Sequence, residues 1–223
     1  MAKTEPDTAR ELARLSSDCS FLVSHLIRQN DGMDDGKARD VLTAILNRHG
    51  TPPKPVLKGS KVGWYGTAEP YIFNPATLKL DGASAVEAVC FTESTLAGLR
   101  AHRDVFSVKY GLAFDRDWLF GRGGNPCLNI GDQLLRSAVQ FSGDNNTRHV
   151  YNFIPKELHA FVNVINGGFD ATHEREWRVR GDLEFSYNDL LFVFCPEAEW
   201  GTFGAVQTKG RPVLFDLAWL DRI

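Results

Sequence analysis

Apolar positions along the chain recur in two rhythms. Val41, Leu42, Ile45 and Leu46 fall at helical spacing, Asp35 stands where an N-cap belongs, and Gly50 with Pro52 marks the stop. Residues 9–17 carry a weaker helical pattern, with Leu12 and Leu15 on one face. Residues 21–27 read as a strand with His25 inside it, and residues 86–92 as a buried strand. A short helix follows over 94–102 and a second strand over 106–114, then a turn of helix around Trp118 that the glycines of 121–124 break.

Beyond that point the pattern turns to short strands. Residues 127–130 are strand-like, and Asp132 is placed to cap a helix carrying Leu134, Leu135, Ala138 and Phe141. After a polar, turn-rich segment over 142–149 come strands at 173–180, 190–195 and 213–215, and a closing helical turn at 217–220. Pro, Gly, Lys and aromatic residues crowd 51–82, which predicts a long irregular connection. Early helices and late strands predict an α+β fold, one domain over 1–223 with a mixed or antiparallel sheet and flanking helices.

Composition narrows the function classes. The hydrophobic fraction is 43% and the charged fraction 24%, as in ordinary globular chains, so fibrous and disordered classes drop out. A formal charge of -3 argues against a globally cationic nucleic-acid binder. No apolar run approaches the roughly 20 residues of a membrane span, and the first residues lack the apolar core of a secretory signal, so a cytoplasmic protein is expected. Cys19, Cys90, Cys127 and Cys195 lie far apart with no metal-site spacing; the last three, set in apolar runs, are expected as buried free thiols, and no metal is expected.

The densest polar constellation runs from His173 to Arg180. On a continuous strand Glu174, Glu176 and Arg178 share one face, with the two carboxylates roughly 7 Å apart, close enough to serve one substrate. A solvated edge strand with Glu–Arg cross-strand pairs explains the same pattern. His25 and the phrase Cys90-Phe91-Thr92-Glu93-Ser94 are the other polar interruptions of apolar runs; a satisfied structural histidine and a helix N-cap at Thr92 or Ser94 account for them equally. The glycine cluster Gly121-Arg122-Gly123-Gly124-Asn125-Pro126 has Pro126 where a dinucleotide fingerprint needs glycine and precedes a strand, so a Rossmann site is excluded, and no phosphate loop is present.

Taken in order, residues 21–27, Cys90-Phe91-Thr92-Glu93, the stretch from Tyr110 to Leu119, Gly124-Asn125-Pro126 and Glu174-Arg175-Glu176-Trp177-Arg178-Val179 resemble the AbiGi family of bacterial abortive-infection phage-resistance proteins. That resemblance implies an antitoxin that binds a companion toxin. The order of a His on a first strand, a small polar group on a second and a Glu on a late strand is similar, more distantly, to ADP-ribosyltransferases, including the DNA-modifying DarT type. This second resemblance implies NAD as co-substrate, with His25 on a ribose, Thr92 supporting the cleft, Glu176 as catalytic carboxylate and Glu174 as the upstream acid of an E-x-E pair.

A fixed carboxylate suits that chemistry, because breaking the nicotinamide–ribose bond builds positive charge on the sugar. Phe91 and Tyr110 are then candidates to stack on the cofactor, and the acceptor would be a protein or nucleic acid. Three functions follow as expectations: an NAD-dependent transferase or glycohydrolase in phage defence, a non-catalytic antitoxin of the same fold, or a structural or regulatory domain.

Overall fold

Helix α1 (Asp35–Leu46) starts where Asp34, one residue ahead of the expected cap, accepts the Lys37 N–H at 2.7 Å. Asn47 ends it in the left-handed conformation at φ 43°, three residues before Gly50. The computed structural model describes residues 20–29, 32–47, 52, 54–62, 71–82, 86–140, 148–168, 170 and 172–222. The helix expected over 9–17, Cys19, and most of the 142–149 segment lie outside the described residues.

The remaining helices are α2 (Leu96–Phe106), α3 (Arg116–Gly121), α4 (Asp132–Leu135) and α5 (Trp200–Phe203). The strands are β1 (Leu22–Ile27), β2 (Val56–Leu57), β3 (Ser60–Lys61), β4 (Tyr71–Asn74), β5 (Lys79–Gly82), β6 (Glu87–Glu93), β7 (Tyr110–Asp115) and β8 (Asn125–Pro126). They continue with β9 (Leu128–Gly131), β10 (Ala138–Val139), β11 (Arg148–His149), β12 (Val162–Ile165), β13 (Glu176–Arg180), β14 (Leu183–Glu184), β15 (Leu190–Phe194) and β16 (Val213–Phe215). Among the described residues no helix is long and apolar enough to cross a membrane.

The fold is α+β with a mixed sheet, and its contacts gather into two compact units. Unit 1 comprises Met1–Leu57, Phe91–Gly123 and Leu183–Ile223; unit 2 comprises Lys58–Cys90 and Gly124–Asp182. Strand β6 gives residues 91–93 to the first and 87–90 to the second.

In unit 1 the strand order is β16-β15-β7-β1-β6, with β15 and β16 parallel and the other neighbours antiparallel. Val23, His25 and Ile27 stand opposite Phe114, Leu112 and Tyr110, so these six share one face of the β1–β7 pair. On the other face Leu22 and Ala113 join Leu99 and Val108 of the α2 region and Leu217 and Leu220 of the closing 3-10 turn in one apolar cluster. Helix α1 packs on β1 and β7 and buries Ala38, Leu42 and Leu46 completely; each such leucine contributes about 1.5–3 kcal/mol.

In unit 2 the order is β6-β13-β8, with β3 also on β6, and β9 and β12 form a separate parallel pair. The ladders β4–β5 and β10–β11 complete it.

Several sequence expectations shift. The 51–82 connection carries β2 to β5 in its described part, because Asn74 Oδ1 accepts the Ala76 N–H at 3.0 Å and folds β4 back on β5. Thr95 caps α2 through the Gly98 N–H at 3.1 Å, in place of Thr92 or Ser94, and the helix runs on to Phe106, so the second strand starts at Tyr110. Helix α4 stops at Leu135, since Ala138 pairs with His149. The strand expected over 173–180 begins only at Glu176; Thr172–Glu174 form a 3-10 turn and Arg175 between them is left-handed at φ 45°. Glu174 is therefore outside the strand alternation that would have set it beside Glu176 on one face.

Gly111 on β7 has no room for a side chain: a Cβ would sit 2.6 Å from the His25 carbonyl oxygen. Gly111→Ala should therefore cost about 1–3 kcal/mol in urea unfolding, as overpacking of a buried site does. At Gly201 a Cβ would meet nothing within 4 Å, and Gly201→Ala should leave the midpoint unchanged or slightly raised.

Candidate functional site

Strand β13 opens on Glu176, and period-two alternation puts Arg178 on the same face. The two side chains form a two-pronged ion pair: Arg178 Nε donates to Glu176 Oε1 at 2.8 Å and Nη2 to Oε2 at 2.8 Å. Asn163 of β12 closes the ring, its Nδ2 donating to Glu176 Oε2 at 2.9 Å and its Oδ1 accepting from Arg178 Nη2 at 2.6 Å. The last arm of Arg178, Nη1, donates to the Ala160 carbonyl at 2.8 Å.

Only 8% of Glu176, 4% of Arg178 and 2% of Asn163 is exposed, so the whole network is interior to unit 2. The thiols of Cys90 and Cys127 lie near enough to the Glu176 carboxylate to feel its charge, and the Cys127 N–H donates to the Glu176 carbonyl at 2.8 Å.

Electrostatics follow from these partners. Burial alone would raise the Glu176 pKa, but hydrogen bonding and charge attraction from Arg178, with Asn163 and Cys90, hold it below its ordinary value of 4.5. Burial would lower that of Arg178, and Glu176 more than offsets it. Burial first, then the Glu176 charge, pushes the Cys90 thiol up to about 12; burial pushes Cys127 up to about 12 against the pull of Arg178. Burial also pushes Cys195 up to about 12, with Glu199 and Asp216 adding to it. All three are free thiols; Cys195 is buried, while Cys90 and Cys127 are half-buried, less than their apolar runs predict.

The six residues singled out by sequence fall into two groups. Glu176 and Glu174 belong to unit 2; His25, Phe91, Thr92 and Tyr110 belong to unit 1. Glu174 is half-buried in its 3-10 turn with His173 Nε2 3.9 Å from its Oε1. The β13 segment is not a solvated edge: β6 and β8 flank it, and Glu176, Arg178 and Val179 are buried.

In unit 1, His25 is half-buried and meets Phe91 edge-on at 5.9 Å. Phe91 itself is 1% exposed and packs edge-to-face on Phe114 at 5.8 Å. Thr92 is buried, its carbonyl accepting the Ser24 hydroxyl at 3.3 Å. Tyr110 is fully buried, donating to Glu199 Oε1 at 2.8 Å; burial and Glu199 both raise its pKa. Phe91 and Tyr110 are thus core side chains with no ring face open to a ligand.

Asn163 and the Ala160 carbonyl escaped sequence reasoning. The signal was present in Val162-Asn163-Val164-Ile165, where one amide interrupts an apolar run and must find a buried partner. Among the described residues no three His, Cys, Asp or Glu side chains are grouped as a metal ion requires. In comparisons with known proteins, no family model, no curated protein and no solved structure matches the chain.

The network makes stability depend on pH with a defined sign. A carboxyl whose folded pKa lies below 4.5 stabilises the fold above that value, and the contribution is lost as pH falls through the folded pKa. Urea midpoints between neutral pH and pH ~3 should fall more steeply for the natural chain than for Glu176→Gln. Arg178→Met, which strands the carboxylate, should cost about 3–5 kcal/mol at neutral pH.

Proposed function

We propose that this chain is a phage-defence protein of the abortive-infection type, built on an ADP-ribosyltransferase-like fold, and that it acts as the antitoxin component by binding and neutralising a companion toxin. The family resemblance of Cys90-Phe91-Thr92-Glu93, the Tyr110 to Leu119 stretch and the Glu174 to Val179 stretch supports the phage-defence role. The observation that favours binding over catalysis is the bonding of Glu176. Both its oxygens are engaged by Arg178 and Asn163 at 2.8–2.9 Å. A carboxylate that stabilises a developing ribosyl cation needs an oxygen open to the sugar and a charge that no guanidinium already neutralises.

A second reading, an NAD-dependent ADP-ribosyltransferase or NAD glycohydrolase acting on a macromolecular acceptor, draws support from Arg175. Its left-handed backbone at φ 45° immediately precedes the ionised Glu176, and strain of this kind gathers at functional sites. In that reading Glu176 stabilises the ribosyl cation and Glu174 takes the acceptor's proton.

One experiment separates the two. Purified full-length chain is incubated with NAD, alone and with cell extract supplying acceptors, and nicotinamide release is followed for the natural chain and for Glu176→Gln, with folding of the variant checked by circular dichroism. The antitoxin reading expects no release from either protein, and copurification of the chain with a toxin coexpressed from its own locus. Release that Glu176→Gln lowers by about 10²–10³-fold would overturn it in favour of the enzyme.

A further inference from the structure

Strand β12 buries Val162 and Val164 in unit 2 and pairs up to its last residue, Ile165 against Gly131 of β9. The chain then comes to the surface, where Asn166, Gly167 and Gly168 are all exposed. Asn166 is the only asparagine in the sequence followed by glycine. At such a step the backbone nitrogen of the second residue can reach the side-chain amide of the first, because no Cβ shields it.

The turn holds that amide in place for the reaction. Asn166 Oδ1 accepts the Gly168 N–H at 2.8 Å, which folds the side chain back along the backbone. An N–H already bonded to Oδ1 stabilises the negative charge that this oxygen takes when Cγ is attacked. Among the described residues neither the Gly167 N–H nor Asn166 Nδ2 has a hydrogen-bond partner, so no such bond has to break first. A Cβ at Gly167 would meet nothing within 4 Å, so the space around the attacking nitrogen is open.

We infer that Asn166 is a self-modification site, at which the chain converts its own side-chain amide to a carboxylate by way of a cyclic imide. Solvent base removes the Gly167 N–H proton and the nitrogen attacks Asn166 Cγ. The N–Cγ bond forms while the carbonyl electron pair moves onto Oδ1, facing the Gly168 N–H. The pair then returns, the Cγ–Nδ2 bond breaks, and Nδ2 takes up a proton and leaves as ammonia. Water opens the imide in one of two ways. Addition at Cγ breaks the new N–Cγ bond and gives aspartate; addition at the main-chain carbonyl carbon of Asn166 breaks the original peptide bond to Gly167 and gives isoaspartate, with the chain rerouted through the side chain. In both the nitrogen regains its proton, and nothing is oxidised or reduced. Each event adds one negative charge just past β12, the strand that carries Asn163 of the Glu176 network. The inference stands whether the chain binds a toxin or turns over NAD.

The test is peptide mapping by mass spectrometry of the full chain aged at mildly alkaline pH, with isoaspartate scored by labelling with a protein isoaspartyl methyltransferase. Asn166 is expected to lose its amide ahead of every other asparagine and to give both products. Gly167→Ala, which crowds the attacking nitrogen, should slow the loss at least about tenfold, equivalent to about 1.4 kcal/mol on the barrier. Gly168→Pro removes the N–H on Oδ1 and should slow it about tenfold, less than a dry oxyanion hole commands because water reaches the turn. In chains unfolded in urea, where the turn is lost, Gly168→Pro and the natural chain should react at the same rate. Circular dichroism checks that each variant is folded, and if Gly168→Pro is not, Gly167→Ala decides alone. A retained amide, loss spread evenly over the asparagines, cleavage of the chain after Asn166, or a folded variant that reacts as fast as the natural chain would each overturn the assignment.

Discussion

The buried ion pair between Glu176 and Arg178 is the interaction on which unit 2 depends. Taking a carboxylate and a guanidinium out of water costs several kcal/mol per ion, and their attraction offsets this only when the remaining lone pairs and protons are also satisfied. Here they are: Asn163 bridges both partners and the Ala160 carbonyl takes the last guanidinium arm. Because Asn163 lies on β12 and Ala160 on the 3-10 turn Lys156–Phe161, the pair ties β13 to the β9–β12 layer. A network satisfied to this degree specifies one arrangement of its strands, since any slip leaves a charge stranded.

The same bonding governs how the chemistry is read. A glutamate two residues from another glutamate, on a late strand, has the spacing of an ADP-ribosyltransferase acid pair. In three dimensions the carboxylate's partner is an arginine on its own strand, and the second glutamate sits on a turn beyond a left-handed residue. Burial and the Glu176 charge likewise push the Cys90 thiol up to about 12, which keeps it protonated beside the carboxylate at neutral pH.

How much of this was legible in the sequence depends on the range of the interaction. Strands β1, β6, β15 and β16 and helix α1 were readable because each carries its own apolar rhythm, and the α+β class followed from their order. Boundaries moved where a local hydrogen bond decided them: the Asp34 cap, the Thr95 cap and the Asn74 turn are set by single side chains that periodicity does not weigh. The largest departure, at Arg175, came from one positive φ in a residue other than glycine, which no pattern of apolar and polar positions encodes. Glu176 stands out in the sequence as a candidate carboxylate, but its partner set was not readable, because Ala160 and Asn163 lie 18 and 13 residues away in sequence from the side chains they bind.

The account turns on whether Glu176 and Arg178 act as a single unit. A double-mutant cycle measures this directly, with urea unfolding free energies for Glu176→Gln, Arg178→Met and the two combined, all at neutral pH. The account predicts strong coupling: about 3 kcal/mol between the two sites, with the double variant no less stable than either single one, because the second change removes the group that the first left unpaired. Additive costs, equal to the sum of the single changes within about 0.5 kcal/mol, would contradict it.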